Sequence, residues 1–224
     1  MNRDDWPAYY EVTVGRPAWS TTTVAIGLFA TEDGALTRPR FAVDLGCGAG
    51  RDTRELLRAG WRVLAIDREP AAIDALLAAT PPQDRSRLEA RIADLAGSRI
   101  PPCDLVNANL SLQFLDRDAY AAAWAAIRSA LRPGGRVAAM VYGDRDEAAS
   151  DTTMTCPSPR SIRARIRGFD VERWTEREED GETALGEPHH IHLVDVVARR
   201  RGPGQAQIAS GALVSAPTAP VRPR

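Results

Sequence analysis

Short apolar runs along this chain alternate with stretches whose apolar positions recur every three or four residues. The runs at Phe41–Leu45, 61–66, 88–93, 105–108, 137–142, 169–177 and 190–198 are short and bounded by Gly, Pro or Asp, as buried strands are. Between them lie helical patterns. The segment from Arg51 puts Leu56 and Leu57 on one side and Arg51, Arg54, Glu55 and Arg58 on the other, and it stops at Gly60. A second runs over Pro70–Ala79 with its proline at the start, where the missing N–H costs nothing. A third follows Asp116 as N-cap and carries Tyr120, Trp124, Ile127 and Leu131 on a core face. A fourth covers 161–167 with Ile162 and Ile166, and an earlier one starts after Ser20 or Thr21 and holds Val24, Ile26, Leu28 and Phe29. Strand and helix alternate, which predicts an α/β fold: a doubly wound, mostly parallel sheet of seven strands.

The same pattern divides the chain. Residues 1–38 precede the first strand and form a helical appendage or lid rich in Trp6, Tyr9, Tyr10 and Trp19, residues 39–201 form the domain, and 202–224, rich in Gly, Pro, Ala and Ser without periodicity, read as a disordered tail.

Composition narrows the field. The chain has 224 residues, 44% hydrophobic and 26% charged, which suits a single globular domain with a proper core. A formal net charge of −1 supplies no basic field for a nucleic-acid backbone. No apolar run is long enough to span a bilayer, and the first residues lack the apolar core of a signal peptide. Three cysteines cannot make a disulfide framework. A cytoplasmic protein without membrane or nucleic-acid partners is expected, and nothing in the pattern fixes an oligomeric state.

The chemistry concentrates in Phe41-Ala-Val-Asp-Leu-Gly-Cys-Gly-Ala-Gly-Arg-Asp52. A strand runs into Gly46, Gly48 and Gly50 and then into a helix N-terminus. That is a nucleotide-type site at the carboxyl edge of a parallel sheet. The glycine spacing is G-x-G-x-G, and Asp44 stands inside the strand end. A pyrophosphate has no use for that carboxylate; a ligand carrying an ammonium group does. The next strand ends at Asp67, seventeen residues past Gly50, near the spacing at which a second-strand acid meets a ribose, although it also precedes a helix that it could cap. Asp94 and Leu95 follow the third strand and Asn109 the fourth.

Val43-Asp-Leu-Gly-Cys-Gly-Ala-Gly50 resembles the first motif of the class I S-adenosylmethionine (SAM)-dependent methyltransferases, and the likeness extends over about 41–199. The run Asn107-Ala-Asn-Leu-Ser-Leu-Gln-Phe-Leu115 resembles the fourth-motif region of the bacterial small-molecule enzymes, trans-aconitate-type ones included. It is not Asn-Pro-Pro-Tyr, the form found in nucleic-acid amino-methylating relatives. The resemblance implies transfer of a methyl group from SAM to an O, N or C atom of a small molecule. It also implies that the seventh strand runs antiparallel between the fifth and sixth. As a cofactor site it implies Tyr10, Asp44, Gly46, Gly48, Gly50, Asp52, Asp67, Arg68, Asp94, Leu95 and Asn109, with Asp67 on the ribose and Asp94 at the adenine amino group. Trp19, Gln113 and Tyr142 become the substrate-side candidates.

The histidines, all within 189–192, sit at the start of that seventh strand. His190 and His192 share one face by the two-residue period and are the candidates for substrate orientation or general-base work, against a polar strand entry without chemistry. No Cys, Asp or Glu completes a metal-ligand spacing, so no metal is expected. Two other readings are a SAM fold turned to a non-methylating reaction such as cyclisation, and a nicotinamide-dependent oxidoreductase, which Asp44 and the glycine spacing disfavour.

Overall fold

The computed structural model describes residues 6–13, 15–32 and 38–202; the expected tail lies, from 203 onward, outside the described residues. Two helices, α1 (Trp6–Thr13) and α2 (Ser20–Ala30), precede the domain. The domain runs β1 (Phe41–Leu45), α3 (Arg51–Arg58), β2 (Arg62–Asp67), α4 (Pro70–Ala79), β3 (Leu88–Ile92) and β4 (Cys103–Asn109). It continues with α5 (Arg117–Ala130), β5 (Leu131–Tyr142), α6 (Pro159–Arg165), β6 (Phe169–Glu182) and β7 (Pro188–Arg200).

The seven strands form one sheet in the order β3-β2-β1-β4-β5-β7-β6. The first five are parallel, and β7 runs antiparallel to both β5 and β6. The reversal of strand order between β1 and β4 opens a crevice at their carboxyl ends, where ligands of doubly wound folds bind.

Period two along the strands sorts the core into two layers. Val43, Leu45, Val106, Val137, Val141, Val194 and Val196 point to the side closed by α5 and α6. Ala42, Val63, Leu105, Ala138 and Val197 point to the other, closed by Ala25 and Phe29 of α2 and by Leu56 and Leu57 of α3. α5 keeps its predicted core face, and the Asp116 carboxylate accepts the N–H groups of Asp118 and Ala119. Arg136, 1% exposed on the α2 side, is held by carboxylates of Glu32 and Glu172 at 2.7 Å each, which ties the end of α2 to β5 and β6.

Three elements differ from the sequence expectation. α1 is a second helix of the expected helical appendage, ahead of the one whose start the pattern marks near Ser20, and its Trp6, Tyr9 and Tyr10 have helical spacing. β5 begins at Leu131, ahead of the expected 137, with 132–135 forming a bulge inside it, where Cys103 pairs with Leu131 and Leu105 with Arg136. The β6–β7 hairpin is longer than its apolar cores, and polar contacts line its extension: His190 meets Asp180 across the two strands, while Arg145, from the loop after β5, bridges Glu176 and Glu178 of β6.

Candidate active site

A cavity of about 900 Å³, its open mouth included, lies over the carboxyl edge of β1, β2 and β4. Its floor is the glycine turn. Gly46 and Gly48 have φ of 70° and 51°, where a side chain is strained, and a Cβ on Gly46 would sit 2.4 Å from Ser111 Cβ. α1 forms the facing wall with Trp6, Tyr9, Tyr10 and Thr13; Trp6 packs edge-on against Phe114 with centroids 5.1 Å apart. Trp19, stacked under the Arg51 guanidinium at 3.7 Å, completes the wall.

The rim is acidic. Asp44, Asp52, Asp67, Glu69 and Asp94 line the cavity with Arg51 and Arg68. Asp67 stands where β2 ends; its two oxygens accept the N–H groups of Gly48 at 2.8 Å and Glu69 at 3.0 Å and keep their remaining lone pairs. Burial pushes its carboxyl above the usual range, against the pull of those two N–H groups. Arg68 pairs with Glu69 at 3.3 Å. Asp94 is exposed, its carboxylate accepting from Ala96 N, and Leu95 lies beside it.

Beneath the cavity is a buried polar network. Asp44 accepts from Thr53 Oγ1 at 2.5 Å and Asn107 Nδ2 at 2.9 Å. Asp52 accepts from Trp19 N at 2.8 Å and Asn109 Nδ2 at 2.8 Å. The Asn109 and Asn107 carbonyls in turn accept from Thr21 Oγ1 and Thr22 Oγ1 of α2. The network locks α2, α3, β1 and β4 together. Burial and the neighbouring Asp52 push the Asp44 carboxyl up to about 7. Two carboxylates gathered without a cation in their own hydrogen-bond network suit a ligand with positive charge.

Most of the predicted cofactor residues come together here: Tyr10, Asp44, Gly46, Gly48, Asp52, Asp67, Arg68, Asp94, Leu95 and Asn109, and with them Trp19. Three qualifications are physical. Gly50 does not line the cavity; its φ of 80° turns the chain, and a Cβ there would meet Leu76 Cδ1 of α4 at 2.2 Å. The Asn109 amide spends its hydrogen bonds on the network. Gln113 is buried but not in the cavity wall, and Tyr142 stands beyond it at the end of β5.

The histidine pair requires correction. His190 and His192 do share a face, but that face turns away from the cavity. His192 is fully buried against Gly143, its Nδ1 taking the Arg145 N–H at 3.1 Å and its Nε2 lying 3.2 Å from Glu176. His190 is exposed in the ladder of Asp180 and Glu178. Their neighbour His189 faces the other way, towards Asp146 and Tyr142. Sequence reasoning also missed Trp6, Tyr9, Ser111 and Phe114 as wall residues, although the aromatic density of 6–19 was a signal. Among the described residues no His, Cys, Asp and Glu cluster could hold a metal ion.

A seven-stranded doubly wound sheet with an antiparallel β7, and an acid-ringed glycine turn at its switch point, define the class I SAM-dependent methyltransferase fold. Residues 43–137 match the family model described as a methyltransferase domain. Over that stretch the chain is similar to methyltransferase domains. It is 43% identical over 76 residues to trans-aconitate 2-methyltransferase of Klebsiella pneumoniae, covering 33% of this chain and 28% of that one. It is 30% identical over 145 residues to carboxy-S-adenosyl-L-methionine synthase of Psychrobacter sp., covering 60% of this chain and 51% of the relative. The chain therefore spans between about a quarter and a half of these curated relatives. A solved structure of similar fold is a 1,6-didemethyltoxoflavin-N1-methyltransferase from Burkholderia thailandensis with bound S-adenosylhomocysteine (SAH). It superposes with a TM-score of 0.63 at 20% identity, covering 89% of this chain and 85% of that one.

Proposed function

We propose that the protein is a SAM-dependent methyltransferase that moves a methyl group from SAM to a small molecule. One observation carries the reading: acids at the ends of successive strands ring a single cavity, whose floor is bare glycine backbone and whose far wall is aromatic. The residues fit the cofactor. Asp67 offers spare carboxylate lone pairs to two ribose hydroxyls, Asp94 and Leu95 offer an acceptor and an apolar surface to the adenine, and Asp44 and Asp52 answer the charge of the methionine end. Ser111 Oγ, buried at the glycine turn without a partner, is a polar atom left for a ligand.

When bound, SAM supplies an electrophilic methyl group on a sulfonium that leaves as a neutral thioether. The chain's own task is alignment and exclusion of water. Tyr10, packed by burial so that its hydroxyl stays protonated, and Trp6 and Tyr9 beside it form a dry roof over the turn. A cytoplasmic setting agrees with three free cysteines, and among the described residues no helix is long and apolar enough to cross a membrane. The nicotinamide reading and the non-methylating one are not favoured, since the matched family model is that of a methyltransferase domain. The test is incubation with SAM bearing a deuterated methyl group and mass analysis of the products. The reading expects one labelled methyl on the acceptor together with SAH; a product that consumes SAM without gaining the label contradicts it.

A further inference from the structure

At the upper end of β5, beyond the cavity's aromatic wall, three side chains from separate segments meet. Asp146 follows β5 in the loop and its side chain is fully buried. One oxygen lies 2.9 Å from His189 Nε2 and also accepts the Ala148 N–H at 3.0 Å; the other accepts the His192 N–H at 2.8 Å. The carboxylate cannot turn away without breaking those bonds, so it fixes the imidazole. A carboxylate only accepts, which makes Nε2 the protonated nitrogen and leaves Nδ1 with a lone pair. Nδ1 is 3.6 Å from the exposed Glu147, too far for a hydrogen bond, and His189 keeps 16% of its side-chain surface open. Among the described residues this nitrogen has no hydrogen-bond partner.

The sheet register places this imidazole on the sheet face that carries Tyr142, Met140 and Asn109, the last of which lines the cavity. Tyr142 pairs with Leu193, so Leu193, Ile191 and His189 face the same way as Tyr142, and its ring lies 6.1 Å from that of His189. Met140, two residues back on that face, pairs with Asn109, and its carbonyl accepts the N–H of the cavity residue Leu110 at 2.8 Å. Burial first, and then Asp146, Tyr9 of the α1 wall and Cys156 of the loop before α6, keep the Tyr142 hydroxyl protonated. The charged and titratable neighbours of His189 are thus Asp146, Glu147 and Tyr142, with Tyr9 and Cys156 behind the tyrosine.

We propose that His189, oriented by Asp146 and flanked by Tyr142, is the base that removes a proton from the methyl acceptor, and that the acceptor is a protic, non-anionic group: a hydroxyl or an amine. The inference rests on the methyl-transfer reading above. The acceptor's proton passes to Nδ1, its lone pair forms the bond to the methyl carbon, and the C–S bonding pair stays on sulfur. A carboxylate acceptor needs no base, and this rim would repel it. Arg145, the near cation, is engaged by Glu176 and Glu178, while Arg51 stacks on Trp19 and donates to the Pro17 carbonyl.

The experiment has two arms. Long-range proton–nitrogen spectra of the wild-type protein read the His189 tautomer without any ligand; protonation at Nε2 is expected, and protonation at Nδ1 overturns the proposal. SAM-loaded wild type, His189→Gln and His189→Ala are then incubated from pH 6 to 9 with a panel of phenols, aliphatic alcohols, amines and carboxylic acids, tricarboxylates included. Methyl gain on hydroxyls or amines is expected, falling more than a hundredfold in both variants and losing its acid limb, with SAM affinity held within twofold. Wild-type turnover in the variants overturns the proposal, as does methyl gain confined to carboxylates or none on any protic acceptor by protein that binds SAM. Failure of the wild type to bind SAM would instead remove the methyl-transfer reading, and calorimetry run beside the assay separates the two.

Discussion

The Asp52 carboxylate accepts the backbone N–H of Trp19 at 2.8 Å, across thirty-three positions of chain. One bond therefore joins the first turn of α3, next to the glycine turn, to the start of α2 and the aromatic wall. The other Asp52 oxygen takes Asn109 and Asn107, so a single side chain sets the wall, the turn and the end of β4 in register. Its place at a helix N-terminus adds a favourable interaction with the helix dipole.

Asp52→Ala strands the Trp19 N–H and takes one acceptor from each of the Asn107 and Asn109 amides, which keep Asp44 and Thr22 as partners. A buried donor left unpaired costs on the order of 1–3 kcal/mol, so a loss of about 2 kcal/mol is expected. Urea unfolding monitored by tryptophan fluorescence reads it directly. Destabilisation below about 0.5 kcal/mol would mean that the network does not hold the wall.

Asp44 gives a pH signature. Its folded-state value, raised to about 7 by burial and by Asp52, lies above the ordinary carboxylate value near ~3.9. Between these limits the folded protein binds the extra proton. Stability from this group is therefore full below the unfolded value and is lost as pH rises towards 7. Asp44→Asn abolishes that slope: unfolding at pH 5 and pH 8 differs less in the variant than in the wild type, while SAM affinity falls for want of the charge. An unchanged slope in Asp44→Asn would place the titration elsewhere.

How much of this was legible beforehand follows from range. β1, α3, α4 and α5 announce themselves through local periodicity and caps, and the acids at Asp44, Asp67 and Asp94 through their place in or just past strand ends. α1 was hidden because it is only eight residues long, too short for the spacing of Trp6, Tyr9 and Tyr10 to mark a helix, and those rings are fixed by packing around the cavity. The Thr21, Thr22, Asn107 and Asn109 bonds join segments more than eighty positions apart, which no local pattern encodes. The histidines show the limit most plainly. Period two placed His190 and His192 on one face correctly, but which face fronts the cavity depends on the pairing of Tyr142 with Leu193, a relation between two strands.

The most direct measurement is titration calorimetry of SAM and SAH into the wild-type protein and Asp67→Ala. Micromolar binding of both ligands to the wild type is predicted, weakened more than tenfold, or ~1.4 kcal/mol, when the ribose-facing carboxylate is removed. A folded wild type that takes up neither ligand, or an Asp67→Ala variant that binds SAM as tightly as the wild type, contradicts the account.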